Sequence, residues 1–396
     1  MAFGGNGGVD RRAGLRPEAL DAPESGIVEV VNYGRERPGL TPLWVGEGDL
    51  PTPAFIAEAA ARSLAAGETF YTYQRGIPEL RGAIARYLTG LYGRAVDAEE
   101  VFVTASGMHA IQVAVRMLAG EGDEVVLPTP VWPNLAAAVG VAGARAVKVP
   151  MRFGNVGWQL DLEAVFSACG PRTRALFFNT PCNPTGWTMT AEEMRAALAF
   201  ARDRGLWIIA DEIYTRFSYG RPRAPSFFDV MEESDRLLFV NSFSKNWAMT
   251  GWRIGWLVAP RSLGQVIENL VQYSTSGVPV FHQRAAVAAI EQGEDFVRHQ
   301  IERATDSRAL ACDALEATGR ARFRRPEGAF YLFFAVDGFE DSRSLALRLV
   351  DEANVGLAPG TAFGPGGEAF LRLCFLTGAE KLRPAMDRLA SWISAL

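Results

Sequence analysis

Lysine is rare in this chain, and the need for surface charge explains one of its lysines poorly. Among 40 basic residues only three are lysines, Lys148, Lys245 and Lys381. Lys245 closes the stretch "NSFSK" and precedes Arg253 by eight residues. Arginine carries surface charge equally well, whereas a lysine amine can lose its proton and bond covalently to a carbonyl carbon. Lys245 is therefore a candidate for amine chemistry.

Other residues capable of chemistry follow short apolar runs that are predicted to be strands. Asp211 and Glu212 close the run "WIIADE", and a buried acidic residue is costly unless a cation or a strong donor meets it. Asn183 in "NTPCNPTG" either initiates a turn or presents its amide to a ligand. Trp132 in "TPVWPN" is either a core aromatic or a platform for a ligand. Taken singly, each has an ordinary structural explanation.

The stretch "VTASGMHAIQ" places a serine and a glycine between a predicted strand and a predicted helix. Ser106 and Gly107 form either a plain tight turn or an anion site, because backbone N–H groups at a helix start attract phosphate. "NSFSK" likewise adds the hydroxyls of Ser242 and Ser244. Several unusual residues at successive strand ends are harder to dismiss than any one of them.

The elements that must position these residues alternate between β-branched runs and helical stretches from about residue 99. This alternation predicts an α/β fold with a mostly parallel sheet covered by helices, whose ligands bind at the carboxyl ends of the strands. Thr190 and Glu193 form a predicted capping box, and Gly205 is expected to end that helix before a strand at Trp207.

The chain is long enough for a large domain and a smaller one. We predict a large domain over residues 45–285 and a smaller α+β domain over residues 286–396, with residues 1–44 packing on the small domain. "FRRPEGAFYLFF" and "AFLRLCFL" are predicted strands of the small domain, and "APGTAFGPGG" at 358–367 is predicted to be a loop.

Composition argues against several classes of protein. The net charge of −5 and the scattered arginines disfavour nucleic acid and anionic membranes as partners. Four cysteines without C-x-x-C spacing and three histidines predict no metal site. No signal-peptide core or membrane-spanning run is visible, so we expect a cytoplasmic protein that acts on a small molecule.

The motifs "NPTG", "DEIY" and "SFSK" followed by "GWRIGW" occur in this order. In this respect the chain resembles the fold-type I aminotransferases of class I and II, which include aspartate and aromatic aminotransferases. The resemblance runs from "GEGDLPTP" near residue 46 to "FLRLCF" at 370. It implies the aspartate aminotransferase-like fold with a seven-stranded sheet, the cofactor pyridoxal 5'-phosphate, and a homodimer with active sites at the interface.

The resemblance also implies roles for individual residues. Lys245 resembles the lysine that forms a Schiff base with the cofactor and moves the proton. Asp211 resembles the partner of the pyridine nitrogen, and Trp132 the aromatic that stacks on the ring. Asn183 and Tyr214 resemble the donors to the phenolate oxygen.

The remaining roles concern phosphate and substrate. The residues that resemble the phosphate ligands of the family are Ser106, Gly107, Met108, Ser242, Ser244 and Arg253. Tyr71 in "YTYQRG" resembles the tyrosine that reaches the neighbouring subunit's phosphate, and otherwise is a buried loop aromatic. Arg372 resembles the arginine that grips the substrate α-carboxylate, with Asn183 beside it. Gly46 resembles the glycine over which that carboxylate lies, and otherwise is a turn glycine.

These roles predict a ping-pong aminotransferase that moves an amino group from an L-amino acid to a 2-oxo acid. The alternatives on the same scaffold are a β-lyase, an aminocyclopropane-carboxylate synthase or an amino-acid oxidase, and fold alone does not separate them. A ligand-sensing regulator would need an extra DNA-binding domain, for which the Gly-rich residues before "WVGEGD" carry no two-helix pattern.

One position narrows the range of possible amino donors. Some aspartate-preferring relatives carry a lysine where this chain has Met108, which offers no charge. We therefore expect a donor with an uncharged side chain. Arg75 is a candidate cation for a dicarboxylate acceptor, and otherwise is an exposed loop charge.

Overall fold

A computed structural model describes residue 12 and residues 14–396, which fold into helices packed around β-sheets. The α-helices of this part of the chain are α1 Pro17–Leu20, α2 Gly26–Gly34, α3 Ala54–Ala65, α4 Pro78–Tyr92, α5 Gly107–Leu118, α6 Pro133–Val141, α7 Leu162–Ser167, α8 Ala191–Arg204, α9 Phe243–Asn246, α10 Gly264–Gln272, α11 Val280–Gln292, α12 Glu294–Glu316, α13 Ser342–Ala353 and α14 Ala379–Ser394. No helix among these residues is long and apolar enough to cross a membrane.

The strands fall into one large sheet, one medium sheet and two short pairs. In chain order they are β1 Thr41–Pro42, β2 Val101–Thr104, β3 Glu124–Thr129, β4 Arg145–Pro150, β5 Arg152–Gly154, β6 Gly157–Gln159, β7 Thr173–Asn179, β8 Trp207–Asp211, β9 Leu237–Ser242, β10 Gly255–Val258, β11 Ala321–Arg322, β12 Tyr331–Val336, β13 Val355–Gly356, β14 Ala358–Pro359 and β15 Phe370–Cys374.

The large sheet has seven strands in the order β2-β10-β9-β8-β7-β3-β4. Strands β4, β3, β7, β8 and β9 pair in parallel, while β10 runs antiparallel to both of its neighbours, β9 and β2. Six strands therefore point the same way, and their carboxyl ends share one edge of the sheet. This confirms the predicted α/β fold with a mostly parallel seven-stranded sheet.

The central strands are apolar throughout because both faces of the sheet are covered. In β8, Ile208 and Ala210 pack into one hydrophobic cluster, and the intervening Ile209 packs into another. Burial of each isoleucine side chain contributes about 1.5–3 kcal/mol. The two clusters hold the sheet rigidly, so residues at its carboxyl edge are held in place.

A four-stranded antiparallel sheet, β11-β12-β15-β14, is built from residues beyond 320. The N-terminal part of the chain packs against the elements around this sheet, because β1 pairs in parallel with β13 and α2 packs on α13. The Cys374 N–H donates to the Leu43 carbonyl at 2.9 Å. Residues 43–48 therefore lie beside the end of β15.

Local predictions hold where short-range chemistry decides the structure. Thr190 and Glu193 form the capping box of α8, and Gly205 ends that helix in the left-handed conformation with φ 65°. Two predictions differ from the structure. The 358–367 segment contains strand β14 and a 3-10 helix instead of a plain loop, and in "FRRPEGAFYLFF" the strand begins only at Tyr331.

Candidate active site

The carboxyl edge of the large sheet brings the predicted strand-end residues into one row. Asp211 is the last residue of β8 and lies in register with Asn179 of β7. Ser242 ends β9 and caps α9, and it lies in register with Gly255. A side chain at Gly255 would meet the Gly107 amide nitrogen at 2.8 Å, so β10 brings the start of α5 against the end of β9.

Lys245 lies on the short helix α9, and its amine reaches the 43–48 segment. Its Nζ donates to the Gly46 carbonyl at 2.7 Å. Burial lowers the pKa of Lys245 to about 8. From α12, the buried Gln300 donates to the carbonyls of Lys245 and Asn246 at 3.3 and 2.8 Å, which anchors the helix. The sequence analysis did not select Gln300.

Asp211 carries a buried carboxyl group, with 1% of the residue exposed. Its Oδ1 accepts a long hydrogen bond of 3.4 Å from the Ile213 N–H, and among the described residues no arginine or lysine forms an ion pair with it. Burial raises the pKa of Asp211 to about 7, and the charge of Lys245 lowers it in part. A cationic N–H donor from a ligand would satisfy this carboxylate.

The neighbouring Glu212 has a different environment. Its carboxyl accepts from the Ser226 hydroxyl at 2.5 Å and from the Phe227 N–H at 2.9 Å. Burial raises the pKa of Glu212 to about 8. Both partners belong to the fold itself, so the Glu212 carboxyl stabilises the structure. Of the two carboxyl groups in "DEIY", only that of Asp211 is left for the site.

Tyr214 and Tyr331 form a pair, of which only Tyr214 was predicted from the sequence. Their hydroxyl oxygens are 2.8 Å apart, and burial, the largest cause, raises the pKa of both phenols. A side chain at Gly46 would overlap the Tyr331 hydroxyl. Gly46 is not among the positive-φ glycines, so the glycine is required for space and not for a turn.

Arg372 enters the site from β15 and is only 2% exposed. Its Nη1 donates to the Asn183 side-chain oxygen at 2.9 Å, and its Nη2 donates to the Trp44 carbonyl. The guanidinium lies between the rings of Tyr331 and Phe363, with centroids at 4.7 and 4.9 Å. Its Nε is buried without a hydrogen-bond partner in the described part of the chain. A buried cation whose donor lacks a partner requires an anion.

Asn183 is held from the end of β7. Its backbone N–H donates to the Asn179 side-chain oxygen at 2.9 Å, and Asn179 Nδ2 donates to the Asp211 carbonyl at 3.2 Å. Asn179 thus fixes the two strand ends relative to each other. The sequence analysis did not identify it.

A cluster of hydroxyl and amide groups lies where β2, β9 and β10 meet. The Ser242 hydroxyl donates to the Ser244 hydroxyl at 2.9 Å, and a side chain at Gly107 would lie 3.3 Å from Ser242. Ser106 caps α5. Arg253 is exposed, its Nη1 donates to the Thr250 carbonyl at 2.6 Å, and its charge lowers the pKa of Lys245 slightly. Hydroxyls, helix-start amides and an arginine form a donor set suited to a phosphate.

Three predicted residues lie at the margin of this cluster or outside it. Met108 and Trp132 are half-buried at the starts of α5 and α6. Tyr71 is 93% exposed, which excludes burial within this chain. Contacts within a single chain therefore do not bury Tyr71.

Comparison with known proteins identifies the class. The family "Aminotransferase class I and II" matches residues 39–389. The chain is 35% identical to the aspartate aminotransferase of Thermotoga maritima over 89% of this chain and 91% of that protein, and 37% identical to the arginine–pyruvate transaminase of Pseudomonas aeruginosa over 88% of each. The solved structure of the Thermotoga maritima aspartate aminotransferase matches with a TM-score of 0.89 at 32% identity, covering 96% of this chain and 100% of that chain.

The chain belongs to the class I and II aminotransferases. It has the aspartate aminotransferase fold and is a transaminase that uses pyridoxal 5'-phosphate. The predicted family, fold, cofactor and reaction class are thereby confirmed.

Proposed function

We propose that this transaminase takes its amino group from an L-amino acid with an uncharged side chain and passes it to a 2-oxo acid in a ping-pong cycle. The observation that carries the proposal is Arg372, a buried guanidinium whose donors face the end of β7 and the 43–48 segment. Its unpartnered Nε shares one edge of the guanidinium with Nη2, and these two N–H groups form a fork that matches a carboxylate. An L-amino acid donor and a 2-oxo acid acceptor both carry a carboxylate beside the reacting carbon.

The substrate carboxylate would replace contacts that Arg372 makes within the protein. Asn183 presents a side-chain oxygen to the guanidinium, and Trp44 presents a backbone carbonyl oxygen. The rings of Tyr331 and Phe363 on either side exclude water and hold the guanidinium plane. The substrate would therefore be held by two parallel hydrogen bonds in a fixed orientation.

Lys245 is the proposed acid–base group of the cycle. When bound, pyridoxal phosphate supplies an electron-withdrawing ring that stabilises negative charge on the substrate α-carbon. Lys245, with its pKa lowered to about 8, can take a proton from that carbon and return it near neutral pH. The Gly46 carbonyl, 2.7 Å from Nζ, orients the amine.

The residues around Asp211 fit the cofactor ring. Among the described residues no lysine or arginine forms an ion pair with the buried carboxyl of Asp211, so a protonated pyridine nitrogen would relieve the cost of its burial and lower its pKa. Tyr214 and Asn183 would donate to the phenolate oxygen, and Trp132 would cover the ring face. Tyr331 orients the Tyr214 hydroxyl across their 2.8 Å contact.

The proposed phosphate site uses groups at the starts of two helices. Its members are the side chains of Ser106, Ser242, Ser244 and Arg253 and the amides of Gly107 and Met108. A side chain at Gly107 would lie 3.3 Å from Ser242, so the start of α5 lies close to the serine hydroxyls at the end of β9. This arrangement suits a dianion, which needs several donors at once.

The donor preference follows from the side-chain pocket. Met108 is half-buried and uncharged. Arg75, the cation nominated from the sequence, is engaged elsewhere, since its Nη1 lies 2.7 Å from Glu99 and its Nε contacts Glu268. A distal carboxylate beside Met108 would be a buried anion without a partner, at a cost of several kcal/mol. The pocket beside Met108 therefore favours amino donors with apolar or aromatic side chains.

The partner of Tyr71 is proposed to be a second copy of this chain. Phe70, Tyr71, Tyr73 and Tyr273 are all strongly exposed, and a groove of about 390 Å³ lies beside them, lined by residues 68–72 and 275–281. Exposed aromatic clusters of this kind are typical of protein interfaces. In the proposed homodimer Tyr71 reaches the phosphate of the neighbouring subunit.

The proposed division into domains keeps residues 45–285 as the cofactor domain and residues 286–396, with the segment up to 44, as the small domain. Residues 1–11 and 13 of that segment lie outside the described residues. The pairing of β1 with β13 supports this grouping. Movement of the small domain would bring Arg372 toward a bound substrate and exclude water.

The donor panel tests the proposal. Specificity constants for aspartate, alanine, leucine and phenylalanine should favour the uncharged donors. Met108→Lys should shift the ratio of aspartate to leucine by about tenfold or more toward aspartate, and Met117→Lys on the same helix serves as control. A tenfold preference of the wild type for aspartate would refute the proposed donor class.

A further inference from the structure

His109 is a buried histidine near the start of α5, and the chemistry described above does not use it. Its Nδ1 lies 3.1 Å from the backbone nitrogen of Ala105, and its Nε2 lies 2.8 Å from the Ser274 hydroxyl oxygen. The ring thus bridges the turn after β2 and the segment that follows α10. Both contacts come from elements outside its own helix.

The two contacts fix the protonation state of the ring. The Ala105 N–H can only donate, so Nδ1 must carry a lone pair. The Ser274 hydroxyl lies 2.7 Å from the Leu270 carbonyl, which can only accept, so the hydroxyl hydrogen points there. The Ser274 oxygen therefore accepts from Nε2–H. Burial, and to a lesser extent the charge of Arg116, lowers the pKa of His109, in agreement with a neutral ring.

The turn that His109 contacts is strained. Ser106 has φ 117°, a conformation that costs a residue with a side chain about 1–3 kcal/mol. The Thr104 hydroxyl donates to the Ser106 carbonyl at 2.9 Å, and the His109 backbone N–H donates to the Ser106 hydroxyl at 3.2 Å. With the ring bond to Ala105, His109 holds the turn by two of these three hydrogen bonds.

We propose that neutral His109 is a positioning residue for the phosphate-binding turn. By accepting the Ala105 N–H and resting on Ser274, it keeps Ser106 in its strained conformation and aims the amides of Gly107 and Met108 at the cofactor phosphate. The proposal rests on the phosphate site proposed above. His109 itself is not one of the proposed contacts of the cofactor or the substrate.

The experiment compares two ligands that differ only in the phosphate. Cofactor-free protein is titrated with pyridoxal phosphate and with pyridoxal, and each dissociation constant is measured by absorbance. For His109→Ala we expect about tenfold weaker binding of pyridoxal phosphate, because the Ala105 N–H loses its acceptor, and pyridoxal binding within about twofold of wild type.

Two further variants separate the hydrogen bond from packing. In His109→Asn the side-chain oxygen takes the place of Nδ1 and can accept from Ala105, so we expect binding of pyridoxal phosphate within about threefold of wild type. His299→Ala, which removes an exposed histidine on α12, should change neither constant. Circular dichroism of each cofactor-free variant verifies its fold.

Each of three results would overturn the inference. His109→Ala could bind pyridoxal phosphate as tightly as wild type, it could lose affinity for pyridoxal to the same degree, or His109→Asn could be as weak as His109→Ala. The second and third results would assign the effect to packing. A wild-type protein that binds neither ligand at Lys245 would instead refute the cofactor site itself, and this inference with it.

Discussion

Substitution of Arg372 should weaken recognition of the substrate carboxylate. Arg372 is buried, and its guanidinium is held by Asn183, the Trp44 carbonyl and two aromatic rings. Removing one partner of a buried ion pair costs about 3–5 kcal/mol. Since about 1.4 kcal/mol corresponds to a factor of ten, Arg372→Leu should lower kcat/KM for an amino acid by about 10²–10³-fold or more.

Arg372→Lys should have a smaller effect, because it keeps the charge and loses the fork. We expect a decrease of about 30–100-fold, corresponding to about 2–3 kcal/mol for the lost bidentate geometry. Arg322→Lys on β11 is the matched control. Arg322 is more than half exposed and pairs only with Asp337 at the surface, so its substitution should leave kcat/KM unchanged within about twofold.

The assay is the half-reaction of the cofactor-loaded enzyme with an amino acid, compared with the amine that lacks its carboxylate. The wild type should prefer the amino acid strongly, and Arg372→Leu should lose most of that preference while reacting with the amine at the wild-type rate. An equal decrease for both compounds would refute the reasoning, because it would show that Arg372 supports the fold or the cofactor and not the carboxylate.

Two further predictions concern Asp211 and Tyr331. In the cofactor-free protein the pKa of Asp211 is raised to about 7, above its unfolded value near 4, so burial of this carboxyl costs stability progressively as pH rises from about 4 to about 7. Asp211→Asn lacks this loss, so its urea midpoint minus that of wild type should increase from pH 5 to pH 8, and a constant difference would contradict the prediction. Tyr331→Phe removes the partner of the Tyr214 hydroxyl and should lower kcat/KM about tenfold, corresponding to about 1.4 kcal/mol, whereas Tyr219→Phe, at a hydroxyl that donates to the Ala329 carbonyl, should not.

The sequence predicted best those features that depend on neighbouring residues. The helix α8 begins at its capping box and ends at Gly205, because both ends are decided by local hydrogen bonds and backbone conformation. The strand ends at Asp211 and Ser242 were also predicted, because an apolar run that stops at a polar residue marks the edge of a covered sheet. The row of polar groups along this edge follows from parallel pairing.

The residues that were missed owe their roles to distant parts of the chain. Tyr331 lies in the apolar run "FYLFF", where its hydroxyl gives no signal until Tyr214 is placed beside it. Trp44 contributes a backbone carbonyl, which any residue type would supply. The requirement for glycine at position 46 arises from the Tyr331 side chain nearly 300 residues later. Such contacts require the tertiary fold.

Backbone strain was equally hidden from the sequence. Serine at position 106 gives no indication of a positive φ, since its conformation is imposed by the groups around the turn. Tyr71 is a different case, because contacts within the single chain leave it exposed and its proposed partner is a second copy of the chain. The local sequence was compatible both with a buried loop aromatic and with a tyrosine that reaches the neighbouring subunit.

The most direct test of the account is to identify the lysine that bears the cofactor. Borohydride reduction of the purified holoenzyme, followed by proteolysis and mass spectrometry, reports which of Lys148, Lys245 and Lys381 carries the added mass. We predict the label on Lys245 alone, with loss of the label and of turnover in Lys245→Ala. Label on Lys148 or Lys381, or turnover retained in Lys245→Ala, would contradict the proposed site.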